Sequence, residues 1–412
     1  MVKQVDIYLV GGAVRDRLLG LAVKDRDYLV VGATPAQMLA LDYRQVGKDF
    51  PVFLHPTTQD EYALARIERK VGVGYSGFEC DASAHVTLEQ DLLRRDLTIN
   101  AIAEDCHGQL HDPYHGLDDI QSKTLRHVSA AFTEDPLRVL RVARFAARFA
   151  PQGFSIASST LALMSEIAAS GELNSLSAER VAVEIEKALQ TQAPQIFFEV
   201  LHRCGALKVL IPELDALFGV PQPPQHHPEI DTGLHSLLVL EQAALLTQDP
   251  ALRFAALVHD LGKALTPAQQ WPKHHGHDKL GLTPVKQLCE RLRLPNQYKE
   301  LALMATEYHQ LLHTVMQLRP ETLLKIFDKN DMWRKPERLE ALIVIGMADS
   351  QGRHGFESAP YPQGQYLRDC YQAASAIEVQ KILAQGYKGA EIKTKLTELR
   401  QASIAKLKNP RP

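Results

Sequence analysis

The 412-residue sequence lacks paired cysteines: its five, Cys80, Cys106, Cys204, Cys289 and Cys370, are odd in number, scattered, and nowhere in a C-x-x-C spacing. That excludes a disulfide framework and a zinc knuckle, and fits reduced, buried thiols. Residues 1–30 lack the basic start, apolar run and small-residue cleavage site of an export signal, and no stretch approaches the ~18 uncharged apolar residues of a membrane span. A cytoplasmic protein without membrane attachment is expected. Surplus charge is missing too, since 46 basic and 49 acidic side chains leave a formal −3. Any contact with a polyanion must therefore come from local clusters of Arg and Lys rather than from net charge. Internal repeats and low-complexity tracts are also lacking. What is there is an ordinary globular composition, 45% hydrophobic and 23% charged, in a chain long enough for two or three domains at ~150 residues each.

From residue 7 to about 115 the pattern is of short β-rich runs between turns, with strands expected at Ile7–Val10, Tyr28–Val31, Val52–His55, Tyr62–Ile67 and Ile102–Ala103. After Pro136 the texture changes to Ala, Leu, Arg and Glu at helical spacing, as in Val139, Val142, Ala143 and Ala146, and an all-α remainder is expected. Pro221, Pro223, Pro224 and Pro228 interrupt it and place a domain boundary in Val220–Glu229, with a weaker one near Asn330–Pro336. The last forty residues read as a helical tail ending in Lys406, Lys408 and Arg411.

Several short fragments suit phosphate chemistry. Tyr8-Leu9-Val10-Gly11-Gly12-Ala13-Val14-Arg15-Asp16 reads as strand, double-glycine turn and helix start. Such a turn lets backbone N–H groups approach a phosphate at a helix N-terminus, though a glycine turn with no ligand has the same sequence. Asp25-Arg26-Asp27 leads into the next strand, and side chains two apart in extended chain share a face, so both carboxylates can converge on one divalent cation. An Asp-x-Asp also occurs in solvated loops. Leu92-Leu93-Arg94-Arg95-Asp96-Leu97-Thr98-Ile99-Asn100-Ala101 sets paired arginines beside polar residues, either around a triphosphate or as an exposed helix start. Glu134-Asp135-Pro136-Leu137-Arg138 opens a helix on which Arg138, Arg141, Arg144 and Arg148 form a basic stripe, with Val139, Val142 and Phe145 turned elsewhere. Asp135 before Pro136 is also an ordinary helix cap.

In this order and combination the fragments resemble the bacterial class of tRNA nucleotidyltransferases, the class II CCA-adding enzymes, which share their head with bacterial poly(A) polymerases. The match covers about the first 150 residues by motif. It implies template-independent addition of the 3′-terminal CCA of tRNA from CTP and ATP with release of pyrophosphate. It further implies that Asp25 and Asp27 are catalytic and hold Mg2+, and that Gly12, Arg15, Arg95, Asp135, Arg138, Arg141 and Arg144 bind the nucleotide. Asp135 and Arg138 would read the incoming base: a carboxylate accepts from the amino group of cytosine or adenine while guanidinium donates to the neighbouring ring nitrogen, a pattern that guanine and uracil reverse.

Further along, His259-Asp260 lies in the apolar run Phe254–Lys263, where burial is costly unless the pair is partnered or metal-bound. With His235 upstream and Asp349 downstream, the ordered set resembles the HD superfamily of metal-dependent phosphohydrolases and narrows the match to CCA-adding enzymes of gamma-proteobacterial type. By that resemblance His259 and Asp260 are catalytic; His235, His259, Asp260 and Asp349 hold a divalent transition metal such as Ni2+; and 2′-phosphates and 2′,3′-cyclic phosphates are hydrolysed. His274-His275-Gly276-His277 is either another ligand source or a solvated loop. His309-Gln310 departs from a doubled HD pattern and is given no role.

The expected fold class is α+β. A small mixed-sheet nucleotidyltransferase head (1–135) precedes a mostly helical neck with the base-reading helix and an RNA-binding region (136–225), an HD domain (226–335) and a helical body or tail (336–412). Expected partners are CTP, ATP and the acceptor arm and 3′ end of tRNA, recognised by shape, with Arg334, Lys335, Arg338, Lys406 and Lys408 as candidate contacts. A monomer or a homodimer is compatible with the sequence. The alternatives are a poly(A) polymerase of the same superfamily and a chain that is primarily an HD nucleotide phosphohydrolase.

Overall fold

In the computed structural model, which describes residues 5–23, 25–46, 52–70 and 78–408, the chain divides into two compact units: residues 1–184 with 196–210, and residues 185–195 with 211–412. The first unit runs β1 (Asp6–Val10), α1 (Gly12–Leu18), β2 (Asp27–Val31), α2 (Pro35–Ala40), β3 (Arg44–Val46), β4 (Val52–Leu54), β5 (Glu61–Leu64), β6 (Ile67–Lys70) and β7 (Phe78–Asp81). It continues through α3 (Leu88–Leu93), β8 (Ala103–Glu104), β9 (Leu110–His111), α4 (Gly116–Gln121), β10 (Thr124–Leu125), α5 (Leu137–Phe149), β11 (Ser155–Ile156), α6 (Ser158–Ser170), the first part of α7 (Ala178–Leu189), most of α8 (Gln195–Arg203) and α9 (Ala206–Leu210).

The main sheet has the order β3-β4-β5-β2-β1-β8-β9. It is mixed, because β2 runs parallel to β5 whereas β1 pairs antiparallel with β2 and with β8. Side chains alternate across its faces. On β2, Leu29 packs with Val10, Leu92 and Ala103 on one face, while Val30 packs with Met38, Phe53 and Leu64 on the other. The register positions the chemistry, since Val10 pairs with Asp27 and Asp27 pairs with Glu61. The glycine turn after Val10 therefore starts beside the second acid of the Asp-x-Asp fragment.

Two expectations change. The strand anticipated over Tyr62–Ile67 is broken, because β5 ends at Leu64 and Ile67 opens a separate hairpin with β7. The chain after Pro136 is not wholly helical, because β11 pairs in parallel with β10. Both strands of that pair are two residues long, too short for any periodicity to reveal.

The second unit is helical: α10 (Pro212–Asp215), α11 (Thr232–Leu246), α12 (Pro250–Val258), α13 (His277–Leu280), α14 (Leu282–Arg291), α15 (Asn296–His313), α16 (Pro320–Lys329), α17 (Glu337–Gln351), α18 (Pro362–Ser375), α19 (Val379–Ala384) and α20 (Ala390–Lys408). Small residues let the central helices approach closely. Val239 and Ala243 of α11 pack with Ala256 of α12 and Ala348 of α17. Asp231 caps α11 by accepting from Leu234 N, and Asp249 caps α12 by accepting from Ala251 N, so the entry angles of both helices are fixed by side chains. Among the described residues no helix is long and apolar enough to cross a membrane.

Candidate active sites

The first site is a hollow of about 630 Å3 in the first unit, lined by Gly11, Gly12, Asp27, Asn100 and Phe145 and by nine arginines, with only Asp27, Asp96 and Asp135 as acids on its wall. That imbalance suits a polyanion. Gly11 caps α1 at φ +66°, and a Cβ there would stand 2.8 Å from Arg95 Nη1. Glycine is required both for the backbone and for the close approach of the guanidinium.

The arginines are held in place by named partners. Arg15 is buried: Nε and Nη2 donate to Asp16 Oδ1 at 2.8 and 2.7 Å, and Nη1 donates to Asn100 Oδ1. Arg148 takes the other oxygen of Asp16 at 2.7 Å. Arg94 and Arg95 share the buried Asp91. Arg144 Nε donates to Glu184 at 2.5 Å. Arg138 spends Nη1 and Nη2 on the carbonyls of Ala131 and Arg94, at 2.6 and 2.5 Å. Asp135 accepts from Leu137 N at 3.1 Å and from Arg180 Nη2 at 3.1 and 3.2 Å, so it is both a helix cap and half of an ion pair.

Phe145 is not turned away from the basic stripe as expected. The guanidinium carbons of Arg144, Arg15 and Arg141 lie 4.5, 5.1 and 5.7 Å from its ring centroid. The ring's negative face attracts planar cations, and that attraction draws it into the cationic wall.

Asp25 and Asp27 line an adjoining hollow of about 600 Å3 with Asp60 and Glu61, and Asp27 borders both cavities. Desolvation raises the Asp27 carboxyl above its ordinary value, with Arg95 opposing and the charge of Asp25 adding to the rise. Two like charges that penalise each other in partly desolvated surroundings fit a divalent cation, which relieves that repulsion.

The second site lies in the helical unit. His235 Nε2 is 3.2 Å from Asp349 Oδ1 and 3.9 Å from Asp260 Oδ2, and His259 Nε2 is 3.2 Å from Asp260 Oδ2 and 3.7 Å from Asp349 Oδ1. All four residues are almost wholly buried. Burial alone would raise both carboxyls, but Lys263 and His259 hold Asp260, and His313 and His259 hold Asp349, well below the usual range. Burial would likewise lower the imidazoles. Asp349 and Glu229 outweigh it at His235, as do Asp260 and Asp349 at His259, and both rise. His259 Nε2 and Asp260 Oδ1 are buried without a hydrogen-bond partner. Orphaned atoms in a set of imidazoles and carboxylates fit a divalent metal.

A Cβ on Gly262 would collide with the His277 carbonyl, so glycine alone lets the turn after Asp260 close on α13. This brings His277 Nε2 to 3.1 Å from Asp260 Oδ1. His309, expected to have no role, is also in the cluster, with Nε2 3.3 Å from the same oxygen. Its place on α15 is set by packing against α13, which a linear motif does not express. His274 is buried instead against Thr266 and the Pro221 carbonyl, away from the carboxylates.

The family model described as Poly A polymerase head domain matches residues 7–126, that described as Probable RNA and SrmB- binding site of polymerase A matches 153–218, and the HD domain matches 232–333. The Multifunctional CCA protein of Shewanella denitrificans is 64% identical over 402 residues, covering 98% of this chain and 97% of that protein. The chain belongs to the multifunctional CCA protein family. It is a tRNA nucleotidyltransferase of the CCA-adding kind that carries an HD domain. Two solved structures show the same fold. The Bacillus stearothermophilus CCA-adding enzyme in complex with CTP has a TM-score of 0.60 and 23% identity, covering 97% of this chain and 89% of that one. The Thermotoga maritima CCA-adding enzyme complexed with tRNA has a TM-score of 0.61 and 19% identity, covering 99% and 88%.

In this member of the multifunctional CCA protein family, sequence motifs missed Asp91, Arg180 and Glu184 in the first unit and Glu229, Lys263 and His313 in the second. Glu229 Oε1 lies 3.0 Å from His235 Nδ1, Lys263 Nζ 2.6 Å from Asp260 Oδ2, and His313 Nε2 2.8 Å from Asp349 Oδ2. Of these only Lys263 had a local signal, in the His-Asp-Leu-Gly-Lys string. The candidate RNA contacts are already engaged in part, since Arg334 pairs with Asp331, and Arg338 and Lys335 share Glu300. Lys406 is exposed on α20, while the Lys408 side chain and Arg411 lie outside the described residues.

Proposed function

We propose that the head adds C, C and A to the 3′ end of tRNA from CTP and ATP. The observation that carries this reading is the single hollow in which the glycine turn, Asp27 and nine arginines meet. The Gly11-Gly12 turn and the surrounding guanidiniums receive the triphosphate, Arg15 and Arg95 against its phosphates. Asp25 and Asp27 hold Mg2+, which when bound supplies charge neutralisation and a more acidic attacking hydroxyl. The terminal 3′-hydroxyl of the RNA loses its proton, its oxygen bonds to the α-phosphorus, and the bond to the β-phosphate bridge breaks, releasing pyrophosphate.

Base choice falls to Asp135 and Arg138. The two carbonyl bonds of Arg138 fix its plane and leave three of the five guanidinium N–H donors for a ring acceptor. Asp135 accepts from the amino group that cytosine and adenine share. Arg141 and Arg144 complete the nucleotide pocket over Phe145. The acceptor arm of tRNA brings its end to this hollow.

The HD domain, in this reading, hydrolyses 2′-phosphates and 2′,3′-cyclic phosphates. His235, His259, Asp260 and Asp349 would hold a divalent transition metal such as Ni2+, which when bound would supply polarisation of the ester and a more acidic water. Lys263 offers a cation beside Asp260 for the phosphate oxygens.

The test is incorporation of each labelled nucleotide onto tRNA ending before, within or after CCA, with Asp25→Ala and His259→Ala in parallel. Addition of C, C, then A, lost only with Asp25→Ala, supports the reading. Unlimited addition of A would make the chain a poly(A) polymerase, and cleavage without incorporation would leave only the HD activity.

A further inference from the structure

Asp27 and Glu61 stand at one end of the main sheet. Each is the first residue of its strand, the two are paired, and both line the acidic hollow. The ladder behind them is short, since β2 and β5 run parallel over four pairs, Asp27–Val30 with Glu61–Leu64. Parallel pairs are the weaker kind, and the ends of a ladder fray first. A slip of one residue would carry Glu61 about 3.3 Å along β2 and turn its side chain to the other face.

The next pair in the register is Tyr28 with Tyr62. Alternation sends these two to the face opposite Asp27 and Glu61. There the rings stack, with centroids 4.5 Å apart and planes 13° from parallel. Tyr43 sets its edge against Tyr62 at 5.0 Å, and His55 lies 5.2 Å from Tyr43 and 5.8 Å from Tyr62. His55 also holds the turn into β5, because its Nδ1 accepts from the amides of Thr57 and Thr58, each at 3.2 Å. That turn continues through Gln59 and Asp60, which line the same hollow.

All four rings are half-buried. Tyr43 and Tyr62 pack on the cluster of Val30, Met38, Phe53 and Leu64 from its border. Burial therefore contributes less here than in a core, and ring-to-ring geometry contributes more. Tyr28, Tyr43, His55 and Tyr62 do not line the hollow, so they act on it through the strands that carry Asp27 and Glu61.

We propose that the Tyr28–Tyr62 stack, braced by Tyr43 and His55, is the positioning element of the head's cation site: it fixes the first residues of β2 and β5 in register and so places Asp27 against Asp25. This rests on the reading of Asp25 and Asp27 as Mg2+ ligands given above. A divalent cation needs carboxylate oxygens that converge, whereas the nucleotide is held by arginines from other elements. Loss of the stack therefore weakens the hold on the cation and spares the hold on the nucleotide.

The experiment titrates the full chain with Mg2+ alone and follows hydrogen–deuterium exchange of the peptides spanning 25–31 and 59–64, a readout that needs no turnover. In the parent these peptides gain protection on Mg2+ binding, and Asp27→Asn removes that gain. In Tyr62→Leu the half-protecting Mg2+ concentration should rise about threefold to tenfold, the range a lost ring pair implies. CTP KM at saturating Mg2+ should stay within about twofold of the parent. Tyr62→Phe, which keeps the stack and removes the hydroxyl, should behave as the parent. Tyr43→Leu, which spares the stack and removes its brace, should shift the same way by less. An unmoved Mg2+ midpoint in Tyr62→Leu overturns the proposal, as does an equal shift in Tyr62→Phe. Faster exchange throughout the first unit with a raised CTP KM also overturns it, since that is general loosening. Absence of Mg2+ protection in the parent overturns the metal reading itself, and this proposal with it.

Discussion

Asp96 accepts from Arg141 Nε at 2.8 Å across 45 positions of sequence, and its other oxygen accepts from Asn100 Nδ2 at 2.8 Å. Asn100 in turn accepts from Arg15, Arg15 bonds Asp16, and Asp16 receives Arg148 from the helix that carries Arg141. The glycine-turn helix, the Arg94–Asn100 segment and α5 are therefore closed into one polar circuit around the arginine-lined hollow.

Asp96→Asn breaks that circuit at a buried carboxylate. Arg141 is about a third exposed, so the loss is smaller than for a fully buried pair, about 1–3 kcal/mol. Hydrogen–deuterium exchange of the peptides of the first unit across a urea series measures it, and an unchanged midpoint would remove Asp96 from the structural circuit.

The same carboxyl sets a pH dependence. Burial alone would raise Asp96, but Arg141 and Asn100 outweigh it and hold the group well below its ordinary value; Arg94 and Arg95 lower the buried Asp91 as well. A depressed carboxyl contributes stability that is full above its unfolded value of about 4 and is lost as pH falls through the folded value. Stability of the head should therefore decline below about pH 4. In Asp96→Asn the decline should be shallower, as read from unfolding midpoints across an acid series.

Gly11→Ala places a Cβ against Arg95 and forces a backbone that L-residues avoid, a strain of about 1–3 kcal/mol. KM for CTP and for ATP should rise together, by about tenfold or more, because the phosphate end common to both is displaced. A rise for one nucleotide alone would show that the turn touches the base instead.

Phe145→Leu keeps an apolar side chain but removes the face on which three guanidiniums rest. At about 0.5–2 kcal/mol for such contacts, nucleotide KM should increase severalfold with kcat little changed. Equal KM in variant and parent would make Phe145 a core residue only.

Much of the head was legible because its signals are local. Short β-rich runs between turns give Ile7–Val10 and Tyr28–Val31, and the Asp-x-Asp fragment marks the start of β2. What was not legible depends on packing. Phe145 sits at the helical spacing of a core residue, and nothing in the spacing says that arginines of α1 and α5 surround it. His309 and His277 are thirty-two positions apart, and only the α13–α15 contact makes them neighbours. Arg180 and Glu184 lie on α7, outside every motif, yet they hold Asp135 and Arg144. Glu229 gave no signal among the prolines around it.

The chain passes between its two units at 184–185, 195–196 and 210–211. Within the second unit, the buried Arg253 donates to the carbonyls of Leu189 and Thr191, from the short segment 185–195, as well as to those of Ala244 and Thr247. No single cut in the gene yields two intact halves: ending a fragment at 184 strips the head of 196–210, and ending it at 210 leaves 185–195 without the arginine that anchors it. The head and the HD domain are therefore inherited together, and evolution can silence either one by substitution far more readily than by losing its half of the chain.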